Sequence, residues 1–111
     1  RIGFVIMDHL QQRVNAAQEI YDAWCTLLPE LEADLARFEQ AAMLVGKLTA
    51  FAQNEFLELH DAIENGAPVD LTTRGNLSVM NQDAVWDAYS DFHRILLARL
   101  KQSVAALEAA G

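Results

Sequence analysis

Apolar residues recur three and four positions apart along three stretches of the chain, and this spacing places them on one face of a helix. In the amino-terminal stretch they are Leu10, Val14, Ala17, Tyr21, Trp24 and Leu28. The middle stretch has a heptad-like seam formed by Leu28, Leu31, Leu35, Phe38, Ala42, Val45, Thr49, Ala52, Phe56, Leu59 and Ile63. The last stretch contains Val85, Tyr89, Phe92, Leu96, Leu100, Val104 and Leu107. The pattern predicts three long amphipathic helices, the second with coiled-coil character.

Residues with special backbone preferences set the boundaries of these helices. Asp8 and Asn81 are suitable N-caps, and Asn65-Gly66 is typical of a helical C-terminus. Pro29 cannot lie inside a helix without loss of a hydrogen bond, but it suits a first turn, so a break is predicted there. The predicted helices span residues 8–28, 30–64 and 82–109.

The predicted architecture is all-α, an antiparallel bundle of three long helices with one long ordered loop, residues 65–81, before the last helix. Gly46 weakens the second helix by about 1 kcal/mol relative to alanine, so a break of that helix near Gly46 stays open as an alternative. At 111 residues the chain is expected to be a single helical domain. Residues 1–7 are interpreted as an extension, because Met7 follows a short apolar run.

Charge and cysteine content restrict the classes of partner. The formal net charge of −8 and the lack of a basic stripe argue against nucleic-acid binding. No apolar run approaches the roughly 20 residues that span a bilayer, so no membrane partner is expected. Cys25 is the only cysteine, which favours the cytoplasm, and its apolar neighbours predict a buried thiol.

The loop and the start of the last helix carry a family resemblance. Its residues are Asp70-Leu71, Arg74-Gly75 and Val79-Met80-Asn81-Gln82-Asp83-Ala84-Val85-Trp86-Asp87. This stretch resembles the signature of domain-of-unknown-function family 4298, a small bacterial family whose members carry Asp-Leu-Lys-Arg-Gly and then Val-Leu-Ser-Glu-Asp-Ala-Val-Tyr-Asp. Here Asn76, Leu77 and Ser78 are inserted, and Asn81 replaces the family's serine, which is also a capable N-cap. The resemblance implies a helical bacterial protein and no established activity.

Long loops in compact domains are often functional, so the loop is the predicted source of any binding specificity. The alternative is that its apolar residues only fix it to the helices, while Asp70 and Arg74 make local bonds. The candidate binding residues are Asp70, Thr73, Arg74 and Asn76, with Asp83 and Asp87 beside them.

Acidic helix faces offer a second hypothesis, an enzyme that uses Mg²⁺ to hydrolyse nucleotide phosphates. Glu55 and Glu58 lie three residues apart and Asp87 and Asp91 four apart, so each pair shares a helix face. Carboxylates on facing helices can build such metal sites in bundles. The competing interpretation is a solvated acidic face that holds no cofactor and has no catalytic residue.

The favoured functional interpretation is a non-enzymatic protein-interaction or self-association module. Leu44, Leu48, Phe51 and Leu57 flank the middle seam, and together they present more apolar surface than one neighbouring helix covers. A second subunit would bury this surface, so the sequence predicts a homodimer or another protein partner.

Overall fold

The computed structural model describes the backbone of residues 2–111 and the side chains of residues 7–111. It contains the helices α1 (Ile2–Asn54), α2 (Phe56–Glu64) and α3 (Gln82–Ala110), and no strand occurs within the described range. The all-helical prediction is confirmed. None of these helices, over the described residues, is both long and apolar enough to cross a membrane.

The predicted break at Pro29 is wrong, because α1 continues through this residue. Pro29 has no amide hydrogen, so it removes the single helical bond to the carbonyl of Cys25. The neighbouring Leu28, Glu30 and Leu31 are strong helix formers, and an existing helix propagates at low cost. The three-four spacing of apolar residues also passes through this region without a phase shift, and this spacing was the better indicator.

The other predicted boundaries of the first two helices also change. The helix starts at Ile2, so Asp8 lies inside it and is not an N-cap, and α1 passes through Gly46 without a break. The interruption falls at Glu55, whose φ of −127° departs from helical geometry. Helical bonds still flank the joint, since the Glu55 amide donates to the Phe51 carbonyl at 2.9 Å. Thus α1 and α2 together replace the predicted first and second helices.

The end of α2 follows the prediction from Asn65-Gly66. Gly66 has a φ of 95°, a left-handed conformation that glycine adopts without strain. Its amide donates to the Ile63 carbonyl, and the Ala67 amide donates to the Ala62 carbonyl, both at 3.0 Å. These two bonds form a Schellman motif, which satisfies carbonyls that the helix end would otherwise leave unpaired.

The start of α3 is also as predicted. The Asn81 side-chain oxygen accepts a hydrogen bond from the Asp83 amide at 2.9 Å, so Asn81 is the N-cap. The helix covers Gln82–Ala110, close to the predicted 82–109. Residues 65–81 contain no helix or strand, in agreement with the predicted loop.

Contacts within the chain divide it into two units after Glu39. From Met7 to Gly111 no side chain falls in the buried class in either unit. Residues of intermediate exposure are concentrated in the second unit, where α1, α2, the loop and α3 all contribute to them. They include Val45, Leu48, Phe51, Phe56, Ile63, Met80, Val85 and Phe92. The prediction that Cys25 is buried is wrong, since this thiol is exposed on α1.

Candidate interaction surface

The first unit presents an uncovered apolar face, which we call the amino-terminal seam. Exposure of its large side chains ranges from 36% at Leu28 to 64% at Leu35. Three-four spacing aligns all its members along α1 over about 38 Å, at 1.5 Å per residue. The members are Leu10, Val14, Ala17, Tyr21, Trp24, Leu28, Leu31 and Leu35, and all are exposed.

Polar side chains on the rest of this helix bond to one another. Gln18 donates to the Asp22 carboxylate at 2.8 Å, and the Arg37 guanidinium lies 2.8 Å from Asp34. These exposed pairs add only a few tenths of a kcal/mol each to the helix. Ile20 and Leu27 are also exposed and widen the seam on one side. The seam is therefore broad enough to contact more than one neighbouring helix.

Within the second unit, α1 and α3 line a cavity of about 420 Å³, which we call the α1–α3 groove. Small residues of α1 form one wall, and larger side chains of α3 form the other. The lining includes Ala42, Gly46, Ala50, Tyr89, Phe92 and Leu96. A Cβ placed on Gly46 would meet no atom within 4 Å, so this wall has free space.

An aromatic ladder runs along α3 beside this groove. The Trp86 and Tyr89 rings stack with centroids 6.3 Å apart, and the Tyr89 and His93 rings stack at 6.1 Å. Trp86 is 67% exposed. Tryptophan and tyrosine are enriched at the energetic centres of protein interfaces, so the ladder is well suited to contact a partner.

The sequence interpretation missed this ladder. It placed Tyr89 on the apolar face of the last helix and assigned Trp86 no role apart from the family resemblance, whereas both side chains are exposed. The available signal was the spacing of residues 86, 89 and 93, which is three and then four. This spacing stacks side chains along one edge of a helix.

The loop holds itself by short-range bonds and covers a second cavity, of about 340 Å³. The Thr72 amide donates to the Asp70 carboxylate at 2.9 Å, and the Thr73 hydroxyl donates to the Asn76 carbonyl at 2.6 Å. Hydrogen bonds from the Thr72 side chain and then its amide lower the pKa of Asp70 below its usual value. Beneath the loop, this cavity is lined by Phe51, Leu59, Ile63, Val69, Leu71 and Met80.

The structure separates the candidate binding residues. Asp70 and Thr73 line the cavity under the loop, whereas Asn76 and Asp87 line another cavity of about 530 Å³. The Asp83 amide donates the N-cap hydrogen bond to Asn81, so the position of Asp83 at the start of α3 is explained by helix geometry. Arg74 makes no ion pair with any of the described residues, and the predicted local bond from Arg74 is not seen.

The acidic residues of the magnesium hypothesis do not come together as one cluster. Asp87 and Asp91 line the same 530 Å³ cavity, which Leu48, Leu77 and Val79 also line. Across residues 7–111, however, no three side chains of His, Cys, Asp or Glu are grouped as metal ligands. Glu55 and Glu58 therefore do not complete a site with the α3 pair.

Comparison with known proteins gives one family. A family model described as "Domain of unknown function (DUF4298)" matches residues 14–102, most of the chain. The suspected resemblance, drawn from residues 70–87, is confirmed by this longer match. No curated protein and no solved structure matches the chain.

Proposed function

The chain belongs to the DUF4298 family of domains of unknown function, and we propose that it is a non-enzymatic, self-associating helical module. The observation that carries this proposal is the amino-terminal seam, eight aligned apolar positions that are all exposed. Monomeric proteins rarely expose a contiguous apolar surface of this length, and such surfaces usually contact another protein.

The energy available from covering the seam supports association. Full burial of a large apolar side chain yields about 1.5–3 kcal/mol, and the seam side chains retain about half of their exposure. Covering them in a partner therefore yields on the order of 1 kcal/mol for each side chain. The sum over seven large members is comparable to the 4–15 kcal/mol that association costs, so further contacts must contribute to a stable complex.

The assembled form we envisage is an antiparallel helical bundle in which at least one helix comes from the second copy. The lining of two cavities supports an antiparallel direction for the helices of the second unit. Ala42 and Leu96 line the same cavity, while Ala52 and Gln82 line another, so later residues of α1 accompany earlier residues of α3. A pair of helices leaves much of its apolar surface exposed to water, whereas a bundle of three or four helices covers that surface.

The cytoplasm is the compartment that fits this module best. Cys25 is an exposed free thiol beside the seam residue Trp24, where an oxidising environment would promote an unwanted disulfide between copies. The excess of sixteen acidic over eight basic residues also disfavours a nucleic-acid partner. The proposed partner is a second copy of the same chain, because each copy has an exposed amino-terminal seam to bury.

Sedimentation equilibrium tests the proposal. The mass is measured from about 1 µM to about 1 mM protein, a range that covers weak and strong dimers. We expect the mass to rise from the monomer value of 12.4 kDa towards twice that value. A mass that stays at 12.4 kDa over the whole range would contradict self-association. Adding about 1 mM dithiothreitol throughout keeps Cys25 reduced, so that covalent dimers do not contribute.

A further inference from the structure

We infer that the amino-terminal seam of one copy docks into the α1–α3 groove of the second copy, an inference that rests on the proposed self-association. The groove is a surface of the second unit, and the seam is a surface of the first. When each copy places its seam in the groove of the other copy, the result is a closed dimer with two identical seam–groove contacts.

The shape of the groove suits a helix with large apolar side chains. Its α1 wall carries Ala42, Gly46 and Ala50, which recur every four residues and leave free space above the backbone. The groove extends over residues 42–53 of α1, about 17 Å or three helical turns. Three turns of the seam contain Tyr21, Trp24 and Leu28, its bulkiest consecutive members.

Two members of the aromatic ladder, Tyr89 and His93, line the opposite wall. Trp86 stacks on Tyr89 and lines an adjoining cavity with it, and both side chains remain exposed. Because the ring stack holds these side chains in place, a helix that docks there orders few additional rotamers. Large residues from the seam can then fill the space above the small residues of α1.

Charge selects this pairing over a contact between two seams. Residues 8–39 contain seven acidic and two basic side chains, so two seams side by side would place acidic flanks together. The whole of α3 contains four acidic and three basic side chains, but its face beside the aromatic ladder carries Arg94 and Lys101 and no acidic side chain. Arg94 also lies 3.7 Å from Asp91 on the same helix. Opposite charges therefore meet when a seam docks against this face of α3.

Two variants separate the two surfaces. Leu28→Asp damages the seam and leaves the groove intact, whereas Gly46→Leu fills the groove and leaves the seam intact. Gly46→Ala is the matched control for Gly46→Leu, because its Cβ has free space and it also raises helix propensity without filling the groove. Circular dichroism of each variant verifies that the helices form.

Sedimentation equilibrium of the single variants and of their equimolar mixture is the test. We expect each variant alone to dimerise at least about 30-fold more weakly than the wild type, while Gly46→Ala dimerises within about 3-fold. In each mixed pair, the intact seam of the Gly46→Leu variant meets the intact groove of the Leu28→Asp variant. One of the two contacts is therefore undamaged. The mixture should therefore form heterodimers at concentrations where each variant alone is monomeric.

The other outcomes distinguish the two proposals. If Gly46→Leu dimerises like Gly46→Ala, the seam does not use the groove, and this inference is wrong while self-association stands. If both variants are monomeric and the mixture stays monomeric, reciprocal docking is likewise excluded. A wild-type chain that is monomeric throughout overturns the proposed function and this inference together.

Discussion

Residues 7–39 and residues 40–111 share the same three-four spacing of apolar positions but differ in how much of it is covered. Before Glu39 every large aliphatic seam member is exposed, whereas Val45, Phe56 and Ile63 in the second unit reach intermediate exposure. The second unit contains α2, the loop and α3, which supply neighbours for its part of the pattern. The spacing thus defines an apolar face, and the presence of neighbouring elements determines whether that face is covered.

A charge in the amino-terminal seam should have the largest effect. We expect Trp24→Asp to raise the dimer dissociation constant at least about 100-fold, equivalent to about 2.7 kcal/mol, because a carboxylate replaces an aromatic side chain of the proposed interface. Ala33→Asp is the control, since it introduces the same charge outside the seam. Equal weakening by both variants would show that the effect comes from net charge and not from the seam.

A charge in the covered part of the pattern should affect folding and not only association. We expect Val45→Asp to lower the free energy of unfolding by about 2–3 kcal/mol, because it places a carboxylate among apolar neighbours. For a domain of this size that lowers the Tm by roughly 10 °C. Thermal melts at low concentration measure it, with Met43→Asp as a control at an exposed position of the same helix. If Val45→Asp and Met43→Asp have the same Tm, the covered and exposed positions do not differ in the way described.

The N-cap of α3 is a hydrogen bond that is local to the second unit. We expect Asn81→Ala to destabilise the chain by about 1 kcal/mol, because the Asp83 amide loses its acceptor. Asn81→Ser keeps an acceptor and should cost only a few tenths of a kcal/mol. Urea unfolding of the three proteins provides the values. An alanine variant as stable as the serine variant would contradict this role of the side chain.

The smallest effect is expected at Asp70, in the loop of the second unit. Its folded pKa lies below the ordinary value of 3.8, because Thr72 bonds favour the carboxylate. The stabilisation is therefore complete above pH 3.8 and is lost as the pH falls through the folded pKa. Asp70→Asn retains an oxygen acceptor but does not titrate. The stability difference between wild type and variant should shrink on acidification below that pH, and a constant difference would contradict the assignment.

Local signals predicted part of the fold correctly. The Asn65-Gly66 stop and the Asn81 cap depend on bonds within a few residues, so the sequence contains all the necessary partners. The predicted break at Pro29 was wrong. It rested on the one helical hydrogen bond that proline removes and did not take account of the apolar spacing that continues through this residue. The binding residues chosen from the loop are divided between two cavities, and their role stays a prediction.

The helical class, the end of α2, the start of α3 and the apolar face of each helix all follow from the sequence alone. These features depend on backbone preferences and on side-chain spacing within a few turns. Three features are visible only in the folded chain. The helix is interrupted at Glu55, Trp86 and Tyr89 are exposed beside small residues of α1, and the side chains of the amino-terminal seam are exposed. Burial depends on residues far apart in sequence, because it is set by which elements pack together, and the spacing within one helix contains no information about its neighbours.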